Sequence, residues 1–211
     1  MRGLYAITSQ AICRDERTLL AAVAQVLPHM ALVQYRDKEN GPAQRERLAR
    51  ALLAACRAAG RPLIVNDDVE LAARIGADGV HLGRSDSPLA AARARLGQAA
   101  VIGVTCGDSL ARAEAAQAGG ASYVAFGRFF ASRTKPAAPP APLALLGAAH
   151  ARLHLPICAI GGITPANAGQ VITAGADLVA AIDGLFGAAD PGAAAADYAR
   201  QFDPDRPPAG S

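Results

Sequence analysis

The chain has 211 residues, enough for one domain with a full core and short for two. Net charge is only +3 and aromatics are 4% with no tryptophan, so no basic, aromatic-interleaved surface for nucleic acid is indicated. No uninterrupted apolar run of about 18 residues is present, which argues against a membrane helix. The four cysteines (Cys13, Cys56, Cys106, Cys158) lie far apart with no CxxC spacing. They predict free thiols in a cytoplasmic protein rather than a disulfide frame or a zinc site.

In chain order, LYAIT (residues 4–8) predicts a first strand rather than a signal peptide. Asp15 then opens an apolar-periodic helix to about Leu27. ALVQYR (31–36) predicts strand two, and Pro42 to Ala59 a long helix ending at Gly60. LIV (63–65) predicts strand three, Val69–Ile75 a helix and GVHLG (79–83) strand four. Pro88–Leu96 predicts the next helix, VIGVTC (101–106) strand five and Ser109–Ala118 a helix stopped by two glycines. YVAFG (123–127) predicts strand six. A Pro/Ala linker, 136–142, leads into a helix over 143–153. PICAIGG (156–162) predicts strand seven, Pro165–Ala174 its helix, LVAAID (178–183) strand eight and Pro191–Phe202 a last helix. Eight short strands alternating with eight helices predict a single-domain parallel (β/α)8 TIM barrel over 1–202. Residues 203–211 read as a disordered tail.

Chemistry in such a barrel sits where the strands end. Asp67 and Asp86 follow strands three and four, neighbours in a parallel sheet. Two carboxylates facing one cleft repel unless a hard divalent cation joins them, so they are read as magnesium ligands. Asp67 taken alone reads equally well as a helix cap, and Asp68 or Ser87 as only that. The pairing favours the metal.

Gln34, Arg36 and Lys38 recur at period two on one strand face, with Val33 and Tyr35 on the other. Three polar side chains in a row are costly in a plain core, which points to a charged ligand. Of 21 basic residues all but Lys38 and Lys135 are arginine. Arg36, Lys38 and Lys135 are the cations expected to stabilise a leaving diphosphate. The run Ser132-Arg133-Thr134-Lys135 after strand six suits phosphate oxygens. Gly161-Gly162 lies before a helix start, where backbone amides meet an anion, and the end of strand eight (Ile182, Asp183) completes the cup. Thr105 reads as a hydrogen-bond donor or equally as a cap, and His81 as a core histidine.

These stretches together resemble the thiamine phosphate synthase family: LYAIT, VQYRDK, IVNDDVELAARIGADGVHLGRSD, IGVT, YVAFGRFFASRTKP and AIGGITPANAGQVITAGAD, covering most of residues 4–185. The resemblance implies a transferase of thiamine biosynthesis. Such an enzyme condenses 4-amino-2-methyl-5-hydroxymethylpyrimidine diphosphate with thiazole phosphate, giving thiamine phosphate and pyrophosphate. It implies Gln34, Arg36, Lys38, Asn66, Thr105 and Lys135 for the pyrimidine diphosphate, with Tyr35 and Asp37 inside the same matched run. It also implies Asp67 and Asp86 for Mg2+, and Ser132, Arg133, Thr134, Gly162, Ile182 and Asp183 for the thiazole phosphate. The chain departs from the family pattern where Asp183 replaces a usual serine and Arg84 a usual glutamine. Ser132 replaces a threonine, Thr105 a serine and Gly107 a histidine. Two other readings are a thiazole tautomerase-like isomerase, which the loss of that histidine disfavours, and a non-catalytic phosphate-binding barrel.

Overall fold

Alternate residues of each short strand are buried on opposite sides, which divides the apolar residues into two cores. A computed structural model describes residues 1–83, 86–131 and 140–203. Its strands are β1 (Gly3–Ile7), β2 (Met30–Tyr35), β3 (Leu63–Asn66), β4 (Gly79–Leu82), β5 (Val101–Gly107), β6 (Tyr123–Phe126), β7 (Ile157–Ile160) and β8 (Leu178–Ala181). All pair in parallel in chain order, and β8 returns to β1 to close the barrel. The protein is a (β/α)8 TIM barrel in one domain.

The inner core holds Tyr5, Ile7, Leu32, Ile64, Tyr123, Ala125, Cys158, Leu178 and Ala180. The larger outer core lies between barrel and helices, with Val33, Val65, Val80, Val124 and Val179 turned toward it. Those helices are α1 (Glu16–Val26), α2 (Pro42–Ala58), α3 (Val69–Ile75), α4 (Leu89–Leu96), α5 (Leu110–Ala118), α6 (Ala144–His150), α7 (Pro165–Thr173), α8 (Asp183–Phe186) and α9 (Pro191–Arg200). Several begin where the sequence places a cap. Asp15, Asp68 and Ser109 accept the amides of Thr18, Leu71 and Arg112.

The expected elements are all present, with ends shifted by a few residues. The one misreading of substance is at strand eight. It stops at Ala181, and Asp183 opens the four-residue α8 instead of ending the strand. A helix of one turn has no periodicity to read. Its placement is set by close packing: a Cβ on Gly184 would lie 2.4 Å from the Ile163 carbonyl oxygen and 2.6 Å from the Tyr198 hydroxyl. The expected tail falls almost wholly outside the described residues.

Candidate active site

One cavity of about 400 Å³ opens at the C-terminal mouth of the barrel and takes wall residues from all eight strands or the loops that follow them. Gln34, Arg36 and Lys38 line it, as do Asn66, Asp67, Thr105, Gly162, Ile182 and Asp183. The strand parity that places 34, 36 and 38 in the cavity turns 35 and 37 away. Tyr35 packs in the outer core, its hydroxyl donating to Asp37 Oδ2 at 2.8 Å. Tyr35 and Asp37, counted with the substrate-contacting run, are therefore not cavity-wall residues. Ser132, Arg133, Thr134, Lys135 and Arg84 lie outside the described residues.

At the rim, β3 ends in a sharp turn. Asp67 is the single described non-glycine residue with positive φ, at 63°. Aspartate tolerates this left-handed conformation better than most residues, at a cost of about 1 kcal/mol. Its amide donates to the His81 carbonyl at 2.9 Å, and Lys38 Nζ lies 3.1 Å from its Oδ2. Asp86 is not part of the cavity wall, but its carboxyl is in hydrogen-bond contact with that of Asp67 and accepts the Gly83 amide.

Burial opposes ionisation of both acids, and their coupling then splits them. The bonds from Asp86 and Lys38 hold Asp67 below the usual carboxylate range. Burial and the facing Asp67 hold Asp86 above it. Such a pair shares a proton or takes a cation. A Cβ built on Gly83 would sit 2.5 Å from Asp86 Oδ2 and 3.8 Å from Asp67 Oδ1, so both acids border the space that glycine leaves. No cluster of three or more His, Cys, Asp or Glu ligands occurs among the described residues. Two oxygen donors with no soft ligand fit magnesium, which commonly takes one or two carboxylates and leaves other positions to water and substrate phosphate.

Below the rim, five polar side chains cross the barrel in one hydrogen-bonded line. Gln34 Nε2 donates to the Tyr5 hydroxyl at 2.6 Å, and Tyr5 meets the Tyr123 hydroxyl at 2.7 Å. Tyr123 meets His81 Nδ1 at 2.9 Å, and His81 Nε2 meets Thr105 Oγ1 at 2.8 Å. One direction of donation, from Gln34 through the two phenols to His81 Nδ1, satisfies every link and leaves His81 protonated at Nε2, facing Thr105. Burial pushes both phenols well above their ordinary range, so neither ionises near neutrality. Gly103 makes the line possible: a Cβ there would lie 2.0 Å from Tyr123 Cζ. The sequence predicts His81 to be a core histidine. It is buried and satisfied as expected, yet it also forms part of the cavity wall.

On the opposite wall, Gly161 and Gly162 have φ of 105° and 63°. A Cβ at Gly161 would lie 2.2 Å from Arg128 Cβ, and one at Gly162 would lie 2.1 Å from the Ala131 carbonyl oxygen. The glycine pair is thus required for the β7 loop to pack against residues 128–131, a demand separate from any anion. Arg128 itself lines the cavity and was missed in the sequence. Its position immediately after strand six was the available signal.

The fold and this mouth define a TIM-barrel enzyme with a cation-rich cavity beside a carboxylate pair. Residues 4–185 match the thiamine monophosphate synthase family. A thiamine-phosphate synthase of Xanthomonas campestris pv. campestris (strain 8004) is 52% identical over 201 residues, covering 95% of this chain and 96% of that protein. One from Azoarcus sp. (strain BH72) is 54% identical over 203 residues, covering 96% and 98%. The thiamine phosphate pyrophosphorylase structure from Pyrococcus furiosus superposes with a TM-score of 0.83 at 28% identity, covering 94% of each chain. The chain belongs to the thiamine monophosphate synthase family. The transferase class and the place in thiamine biosynthesis expected from the sequence stand with that membership.

Proposed function

We propose that the chain joins the pyrimidine diphosphate to the thiazole phosphate by a magnesium-assisted, dissociative displacement that releases pyrophosphate. The observation that carries this reading is the convergence of Asp67, Asp86 and Lys38 at the rim of the barrel-mouth cavity that also holds Arg36. Asp67 and Asp86 would hold Mg2+, which when bound supplies positive charge to the departing diphosphate. Arg36 and Lys38 neutralise the same leaving group from β2, and Lys135 is assigned to it from the sequence.

The floor suits the pyrimidine. With Gln34 donating to Tyr5 through Nε2, its carbonyl oxygen remains as an acceptor, and Thr105, accepting from His81, keeps its hydroxyl hydrogen to donate. An exocyclic amine and a ring nitrogen offer the matching pair. An electron-rich aminopyrimidine tolerates the positive charge that develops as diphosphate departs, and the thiazole nitrogen then attacks. That sequence calls for no strong protein base, and the protonated phenols of the floor supply none. Gly162, Ile182 and Asp183, with Ser132, Arg133 and Thr134 from the sequence, are assigned to the thiazole phosphate. Asp183 would contribute its amide there, since its carboxylate repels an anion.

We place the enzyme in the cytoplasm. All four cysteines are free and buried, and no described helix is long and apolar enough to cross a membrane. Incubating both phosphorylated precursors with and without Mg2+ tests the reading. Thiamine phosphate and pyrophosphate should form in equal amounts, and only with metal. No product with metal present rejects it.

A further inference from the structure

The two cations of β2 reach the cavity on a turn that is not held by its own strand. Past Tyr35 the ladder ends, and residues 36–40 are fastened by side chains from the end of β1. Thr8, fully buried, accepts the Arg36 amide at 2.8 Å and donates to the Arg36 carbonyl at 3.0 Å through the same hydroxyl. Gln10 spans the next step with both ends of its amide. Its Oε1 accepts the Lys38 amide at 3.0 Å, and its Nε2 donates to Asp37 Oδ1 at 3.0 Å. Asp37, 5% exposed, is the hub: Oδ1 also accepts the Glu39 and Asn40 amides, and Oδ2 accepts Tyr35 and Asn40 Nδ2.

We propose that Gln10 and Asp37 are positioning residues for the diphosphate grip, acting through Lys38. Neither is in the cavity wall. Every polar atom they present is spent on the backbone and neighbours of the turn, and the turn fixes where Lys38 leaves the main chain. The ammonium lies on a flexible stem, more than half exposed, and meets Asp67 at 3.1 Å. A stem of that freedom reaches one productive place only if its root is fixed, since a displacement of about 1 Å at a reacting site can cost about 100-fold in rate. Asp37 therefore serves the reaction from behind the strand rather than by touching substrate. The inference rests on Lys38 acting on the diphosphate, as proposed above.

The test uses the full chain, both substrates and Mg2+, with Gln10→Ala, Asp37→Asn, Lys38→Ala and the Gln10→Ala/Lys38→Ala double variant. Gln10 is partly exposed, so its truncation leaves the core intact. Gln10→Ala should raise KM for the pyrimidine diphosphate about tenfold, leave KM for the thiazole phosphate unchanged and add no loss to Lys38→Ala. Asp37→Asn should show the same split between substrates. An equal loss on the wild-type and Lys38→Ala backgrounds, or a matched rise in both KM values, would make the cluster merely structural and overturn the proposal. No effect of Gln10→Ala while Lys38→Ala is impaired would overturn it too. An unimpaired Lys38→Ala would instead overturn the reading of Lys38, and the inference with it.

Discussion

Lys38 Nζ stands 3.1 Å from Asp67 Oδ2, so the cation from β2 and the acid from β3 are already paired across the mouth of the cavity. Both side chains are partly exposed, and the pair contributes little to stability. Its position matters more. If Asp67 and Asp86 hold Mg2+ as proposed, the lysine paired with Asp67 would lie beside the diphosphate that the metal binds.

Asp67→Asn tests the acid without disturbing the backbone, because asparagine also accepts positive φ. The substitution should lower turnover about 100-fold at saturating substrate while moving the folding free energy by less than about 1 kcal/mol. Steady-state rates against Mg2+ concentration, beside urea unfolding, check both halves. An unchanged metal dependence would remove Asp67 from the metal site.

Gly103→Ala puts a methyl group into the Tyr123 ring. The overlap at Cζ is too deep for a small adjustment, so the variant should lose about 1–3 kcal/mol of stability. For a chain of this size the midpoint of thermal unfolding should fall about 2–4 °C for each kcal/mol. Calorimetry measures it.

Tyr123→Phe keeps the ring and removes the hydroxyl that joins Tyr5 to His81. Two buried partners are left without their shared neighbour, a loss of about 1–3 kcal/mol. Loss of the relay should also free the His81 ring to turn, which imidazole proton and nitrogen NMR would register as a change of tautomer population. An unaltered spectrum would show that the remaining contacts of His81, the Thr105 bond among them, set the ring.

Asp37 gives a pH signature. Burial opposes its ionisation, but the bonds it accepts from Asn40, Gln10 and Tyr35 outweigh that cost and hold its carboxyl below the ordinary range. A group depressed on folding contributes stability fully above its unfolded value and loses it as pH falls through the folded one. The stability gap between the parent chain and Asp37→Asn should thus be constant near neutrality and close progressively below about pH 4. Urea unfolding of both chains across that window is the measurement.

Asp183→Ser should leave thiazole phosphate binding unchanged or improve it, because it removes a carboxylate from a wall assigned to an anion. Calorimetric titration with the thiazole phosphate reads the change. A large loss would show that the carboxylate has a favourable role of its own.

The barrel was legible because each strand ends in a polar or glycine signal and most of the longer helices carry an apolar stripe. Period two alone separated Gln34, Arg36 and Lys38 from Tyr35. The same parity argued against counting Tyr35 and Asp37 as ligands, and the matched run VQYRDK obscured it. The floor of the cavity was harder. Tyr5, Tyr123 and His81 come from three strands, of which the sequence singles out only His81, as a core histidine, and only closure of the sheet brings their polar atoms within 3 Å. The glycine pair at 161–162 carried a motif's meaning in the sequence and a packing meaning in the fold. Sequence shows which residues are small, not what presses against them.

That packing has a genetic consequence. Because no Cβ fits at residue 161 or 162, residues 128–131 after β6 and the start of the loop after β7 form one block, and Arg128 rides on it. Exchanging either loop alone for that of a cousin would break the fit, so these loops should be inherited, and transplanted, only as a pair.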